Sequence, residues 1–249
     1  MKPYKSIYSF FILIFCTVIF SSCLSIDRKI ILNKDGSGNE IMKITFDKTF
    51  YQMMASMTSM MDSSRVQGYM DSLYSDQIFL NETKAKYDSA AGINLTDIYS
   101  EKNSDESNSF IVKYEFDSVQ KINNSALSKF KENNNESSTE VTYTKDGDKI
   151  LFGYLMSNSS NNNQTENLQN SNDVANDSVS NQNEITDKLT KGMADMFKDD
   201  EVSIEIIFPY EVISSNATST DGNKLIWKYS LSESISTGNI KLEAVMRDY

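Results

Sequence analysis

The sequence predicts an α+β fold: an antiparallel β-sheet built of hairpins, with two or three packing helices and a disordered Asn-rich insertion. Short stretches such as Phe110, Val112, Tyr114 and Phe116 place an apolar residue at every second position, the period of a half-buried strand. Three Asp-Gly pairs, in KDGSG (34–38), KDGDK (145–149) and TDGNK (220–224), lie between such stretches. Glycine there tolerates the positive φ of a tight hairpin turn. Helical spacing occurs between the hairpins without regular β–α–β alternation, which argues for an α+β rather than a parallel α/β arrangement.

The elements follow in order. Lys2 and Lys5, an apolar run over 10–20 and the small pair Ser21-Ser22 have the grammar of a signal peptide over 1–22. The run, about 11 residues, is short for a helix crossing roughly 30 Å of hydrocarbon. An uncleaved anchor would have to draw on Ile7, Tyr8 and Leu24 as well. Strands are predicted over 26–32 and 41–46 around the first Asp-Gly turn, and a long helix over 48–74. Strands over 95–100 and 110–116 come next, and Val119, Ile122, Leu127 and Phe130 return to helical spacing. Strands over 141–144 and 150–155 flank the second turn.

The tract 157–183 has almost no apolar residues, so it cannot bury enough surface to offset the entropy of ordering. It divides one domain into a first part, 23–156, and a closing helix and hairpin, 184–249. Shorter polar tracts at 101–109 and 132–139 also reduce the length available for packing. Ile185, Leu189, Met193, Met196 and Phe197 trace a helix face; Val202, Ile204, Ile206 and Phe208 alternate as a strand; LIWKYSL and IKLEAVM complete the sheet.

Both cysteines, Cys16 and Cys23, stand near the start of the chain. Small residues directly before Cys23 resemble the bacterial lipobox, in which a lipoprotein signal peptidase cuts ahead of a lipidated cysteine. Ser21 and Ser22 match it, whereas Phe20 stands where Leu is usual. On this reading Cys16 is an apolar residue of the discarded run, and Cys23 is the lipidated first residue of a mature chain of about 227 residues. That chain has no second thiol for a disulfide, although the bacterial envelope would permit one.

Removing 1–22 takes away two lysines and no acid, so the formal charge moves from −11 to −13. Such a balance disfavours nucleic acid and gives no attraction to an anionic membrane surface, which leaves the lipid on Cys23 as the membrane contact. Asn-x-Ser/Thr sequons at Asn81, Asn94, Asn158 and Asn216 read as by-products of an Asn- and Ser-rich composition.

The chain has no histidine, which removes the usual catalytic triad and the commonest metal ligand. Neither a catalytic site nor a cofactor is expected. KDGSGNE fails the spacing of a calcium loop and reads as a turn. Asp199, Asp200 and Glu201 read as a solvated loop, and Trp227 as a core residue of an alternating strand. In FYQMMASMTSMMDSSRVQGYM (50–70), Met53, Met54, Met57, Met60 and Met61 fall with Phe50 along one helical face. That face suits packing against the sheet; the alternatives are a Met-lined ligand groove or a Cu(I) site built from the thioethers of Met53, Met57, Met60 and Met61.

The closing stretch FPYEVISSNATSTDGNKLIWKYSL, the anchored cysteine followed by a strand, KDGSG and a second strand, and FIVKYEFDSVQKINNSAL resemble the LppM-like bacterial lipoprotein domain. The resemblance touches three blocks over most of the mature chain; the Asn-rich insertion and the Met-rich helix depart from it. It implies an envelope lipoprotein with an α+β domain and a lipid or protein ligand, and it supplies no site residues. The expected function is a binding or interaction module, without enzymatic activity, anchored through Cys23 to the bacterial outer membrane and facing the periplasm or the cell surface. The alternative is a periplasmic Cu(I)-handling lipoprotein.

Overall fold

Asp35 and Gly36 close the first hairpin. Gly36 adopts φ +84°, and Asp35 Oδ1 accepts hydrogen bonds from the amide and the hydroxyl of Ser37 at 3.0 and 2.6 Å. This turn joins β1 (Leu24–Leu32) to β2 (Gly38–Phe46), which pair antiparallel from Leu24 opposite Phe46 to Leu32 opposite Gly38. Gly38 is required for a different reason. A Cβ there would lie against the carbonyl of Ile31 and 2.6 Å from Cζ of Phe116, so no side chain fits where β2 begins.

These strands belong to a computed structural model that describes residues 23–61, 76–124, 137–158, 197–233 and 240–248. After β2 come α1 (Lys48–Met61), α2 (Asp76–Asp88), β3 (Ile93–Lys102), β4 (Asn108–Phe116) and a short 3₁₀ helix (Val119–Asn124). The chain continues with β5 (Ser137–Asp146), β6 (Lys149–Asn158), β7 (Glu201–Ile207), β8 (Glu211–Ser215), β9 (Ser219–Asp221), β10 (Lys224–Ser230) and β11 (Ile240–Arg247). The fold is α+β, with the strands in two sheets rather than one. A seven-stranded sheet runs β3-β4-β2-β1-β7-β10-β9 and a four-stranded sheet runs β5-β6-β11-β8.

Apolar alternation decides what covers what. Ile30, Leu32, Ile204, Ile206, Leu225 and Trp227 of the large sheet share one core with Ile150, Phe152, Leu242 and Met246 of the small sheet. The Phe152 and Phe208 rings meet edge-on, 5.3 Å between centroids. The other half of the large sheet is covered by helices. Tyr87 of α2 packs on Tyr114 of β4 at 5.0 Å, and Phe50 and Tyr51 of α1 cluster on Phe46, which contacts Phe110 at 5.8 Å.

A charged pair stands where these halves meet. Arg28 donates through Nε to Glu40 Oε1 at 2.6 Å and through Nη2 to Oε2 at 3.1 Å, with side-chain exposures of 13% and 0%. Tyr114 donates a short hydrogen bond to Glu40 Oε2, and Arg28 Nη1 lies 3.3 Å from the hydroxyl of Tyr154 in the small sheet. Burial alone would lower the Arg28 pKa; Glu40 and the two tyrosines outweigh it and hold the guanidinium charged, above its ordinary value. Burial and Glu40 together push the Tyr114 phenol well above its ordinary range.

Several sequence expectations change. The hairpins are antiparallel, but β1 also pairs with β7 in parallel, from Ser25 opposite Glu201 to Ile31 opposite Ile207. The tract 101–109 is structured: β3 and β4 are joined by a turn in which Asp105 Oδ1 accepts from the amide and hydroxyl of Ser107 at 3.0 and 2.6 Å. It repeats the Asn33–Ser37 turn, with Glu106 at φ 68° in the place of Gly36. Its polar residues are the groups that close the turn. Likewise 137–139 belong to β5, and β6 extends through Ser157 and Asn158 into the Asn-rich tract. Helix α2 and strand β8 add to the predicted elements, while 62–74, 125–130 and 159–196 lie outside the described residues.

Arg28→Met strands a buried carboxylate and should cost roughly 3–5 kcal/mol, whereas Arg28→Met combined with Glu40→Leu should recover most of that loss. Urea unfolding of the two variants and the wild type checks it. A double variant no more stable than Arg28→Met would show that the stranded charge is not the source of the cost.

Candidate functional site

Cys23 stands directly before β1 and is bonded into the domain. Its carbonyl accepts from the amide of Asp47 at 3.0 Å, and the next amide, Leu24, donates to Asp200 Oδ1 at 3.1 Å. Asp47 also caps α1, its Oδ1 accepting from the amides of Thr49 and Phe50 at 2.6 and 3.1 Å. The cysteine is thereby tied to the β2–α1 junction and to the segment entering β7. Asp200, expected in a solvated loop, is only 3% exposed because it serves this junction.

The Cys23 thiol is partly buried. Burial first, then the carboxylates of Asp200, Asp47 and Asp199, raise its pKa. Reactive cysteines need the opposite, an electropositive setting that stabilises the thiolate. The surroundings of Cys23 thus favour the neutral thiol over the thiolate. Among the described residues, no group of three or more His, Cys, Asp or Glu is placed to hold a metal ion.

Helix α1 carries all five methionines of the 53–61 stretch, and the side chains of Met53 and Met54 are half-buried. Its described exposed positions are polar: Gln52 and Ser56 face solvent, with Ser56 Oγ donating to the Gln52 carbonyl at 3.0 Å. The side chains of Met57, Met60 and Met61 lie outside the described residues. The thioethers proposed to converge on Cu(I) therefore lie mostly outside the described side chains.

Three-dimensional pairing reveals two surfaces that sequence patterning alone did not separate. The outer face of the large sheet is crossed by ion pairs: Lys29–Glu205 at 3.0 Å, Lys43–Glu101 at 3.0 Å, Lys113–Asp97 at 3.2 Å and Lys228–Glu201 at 2.7 Å. The outer face of the small sheet is more apolar, with Leu151, Leu155 and Ile213 exposed by 36%, 38% and 42%. Gly153 leaves a shallow groove there, bordered by Glu140, Thr142, Leu155, Lys241 and Glu243. Alternation marks these residues as outward-facing; only the strand order shows which of them are neighbours.

Asn216 joins the sheets at the corner between β8 and β9. Its Oδ1 accepts from Trp227 Nε1 and from the Glu243 amide, both at 2.8 Å, and its Nδ2 donates to the Lys241 carbonyl at 2.8 Å. This side chain is engaged within the fold through both its oxygen and its nitrogen. Trp227 is a core residue, as its strand pattern implies.

At the end of the sandwich opposite Cys23, Tyr143 packs near Gly36, and Tyr210 donates from its hydroxyl to the Lys34 carbonyl at 3.2 Å. Burial, with Tyr210 and Asp248, pushes the Tyr143 phenol up to about 12; burial, with Glu233 and Tyr154, does the same to Tyr229. A raised tyrosine pKa adds stability that is complete below the unfolded value near 10 and is lost as pH rises through the folded value. An absorbance titration at alkaline pH should show a class of tyrosines ionising near 12, and the melting temperature should fall between about pH 10 and 12. Tyr143→Phe and Tyr229→Phe should each remove one member of the class.

The methionines are tested separately. Met53→Leu, Met57→Leu and Met60→Leu should each cost under about 1.5 kcal/mol because volume is nearly conserved. A Cu(I) competition titration of the wild type and of the triple variant decides whether thioethers bind metal. Tight binding by the wild type alone would establish the copper site, and no wild-type binding would retire it.

No protein-family model and no curated protein matches this chain. Among solved structures, it is similar to the NMR structure of the folded domain of the Mycobacterium tuberculosis LppM protein, at 7% identity and a TM-score of 0.42. The match covers 91% of this chain and 90% of that one.

Proposed function

We propose that this protein is a bacterial envelope lipoprotein, held in the membrane by acyl chains on Cys23, and that its folded domain is a binding or interaction module rather than an enzyme. The reading rests on one coincidence. The leader-like segment ends in the small pair Ser21-Ser22, and the two residues directly after it are bonded into the domain, Cys23 through its carbonyl to the Asp47 amide and Leu24 as the first residue of β1. Cleavage before Cys23 would leave both of these attachments in place.

The energetics require more than one chain. Each buried methylene is worth about 0.8 kcal/mol, and a single acyl chain binds only reversibly. A diacylglyceryl group with an N-acyl chain holds a protein essentially permanently. The groups a hydrolase might have used are otherwise engaged: Glu40 is neutralised by Arg28, and Asp200 accepts from the Leu24 amide. The acidic balance speaks against nucleic acid as a partner, so a lipid or another envelope protein is the ligand class we infer. The outer membrane, facing the periplasm or the cell surface, is the location that goes with this reading.

The test is Cys23→Ala in the full chain. The wild type should resist a high-salt and carbonate wash of the membrane fraction and carry a diacylglyceryl mass on the peptide that starts at Cys23. The variant should keep its leader and lack that mass. A variant that is still cleaved and still held in the washed membrane overturns the reading.

A further inference from the structure

We infer that the surface around Cys23, formed by the start of α1, the 103–107 turn and residues 198–200, is the membrane-facing surface of the domain, so that the sandwich stands with its strands rising from the lipid headgroups. The inference rests on acylation of Cys23 and adds to it the identity of the surface that meets the bilayer.

A lipid anchor usually leaves its domain free when residues of open chain intervene, because a flexible linker lets the domain tumble within its reach. Here none intervenes. Cys23 is bonded through its carbonyl to Asp47, and Leu24 is bonded through its amide to Asp200 while already paired with Phe46. The backbone that leads away from the acylated residue belongs to the fold from its first peptide group onward. The sulfur is therefore held at a fixed place on the domain surface, and only the glyceryl thioether separates that place from the headgroups.

Strand pairing then says which residues share that end. Phe46 lies opposite Leu24 in β1 and opposite Asn108 in β4, which puts the 103–107 turn beside Cys23; the Lys48–Glu106 ion pair at 2.6 Å closes the same edge. The opposite end holds the 33–37 and 146–149 turns, linked through Tyr143 against Gly36. A strand rises about 3.3 Å per residue, so the nine residues of β1 separate the two ends by roughly 30 Å. The Cys23 end carries Asp47, Asp105, Glu106 and Asp199 as well as Lys48 and Lys198, so lipid phosphates do not draw it in. The short tether alone sets the orientation.

The acylated full chain is tested in phosphatidylethanolamine and phosphatidylglycerol vesicles containing a lipid with a headgroup nitroxide. Acylation leaves the mature chain without a free thiol, so Ser104→Cys and Asp146→Cys each provide a unique, exposed label at one end. Fluorophore at 104 should be quenched several-fold more strongly than at 146. Inserting a flexible Gly-Ser linker between Cys23 and Leu24 should abolish the difference while the protein stays acylated and bound. Equal quenching at both positions, on protein whose acyl mass is verified, overturns the orientation and leaves the anchor standing. Absence of the acyl mass overturns the anchor, and the orientation with it.

Discussion

The Arg28–Glu40 pair is the constraint around which the rest of the fold is arranged. Two charges withdrawn from water are tolerated only when their geometry is good and the remaining polar positions are filled. The bidentate contact supplies the first condition, and Tyr114 and Tyr154 supply the second. Each partner comes from a different element: Arg28 from β1, Glu40 from β2, Tyr114 from β4 and Tyr154 from the small sheet. Slipping β2 against either neighbour by one residue would turn Glu40 to the opposite face and strand the guanidinium. The pair thus adds a polar constraint to the strand register that the alternating apolar face already specifies, and links that register to the other sheet.

Tyr114 extends that influence. Its ring packs at a tilt against Tyr87, which seats α2 against the large sheet. The small sheet is seated independently by Asn216, whose three hydrogen bonds tie β10, β11 and the corner after β8 together. Two polar struts therefore hold the layers in register, with the apolar core filling the space between them.

The hairpins were legible because their signals are local: Asp-Gly turns and strict alternation lie within a few residues of the structure they specify. Helix α2 was not, because its inward face includes Thr83 and Tyr87 and gives little apolar contrast. Pairing of β1 with β7 was invisible for a different reason. A parallel neighbour more than a hundred residues away leaves no mark on either strand's own pattern. Composition misled at 101–109 and 137–139, where Asn, Asp and Ser serve as turn closures and strand termini rather than as solvated filler. At the candidate site, the residues before Cys23 singled it out in the sequence but gave no sign of its tertiary partners. Its engagement with Asp47 and Asp200 depends on tertiary proximity, and Asp200 looked like surface until β1 was placed beside it.

The parallel pairing of β1 with β7 bears on how the chain matures. β1 finds β2 as soon as the first hairpin has emerged, but its other edge remains open until residues 201–207 arrive. Contacts of such separation form late and slowly, since the chain between them must first lose its freedom. A chain emerging from its N-terminus would thus expose an unpaired edge on β1 until residues 201–207 have followed. An edge of that kind is a site for illicit strand addition, so the period before β7 docks is when a newly made chain most needs a chaperone.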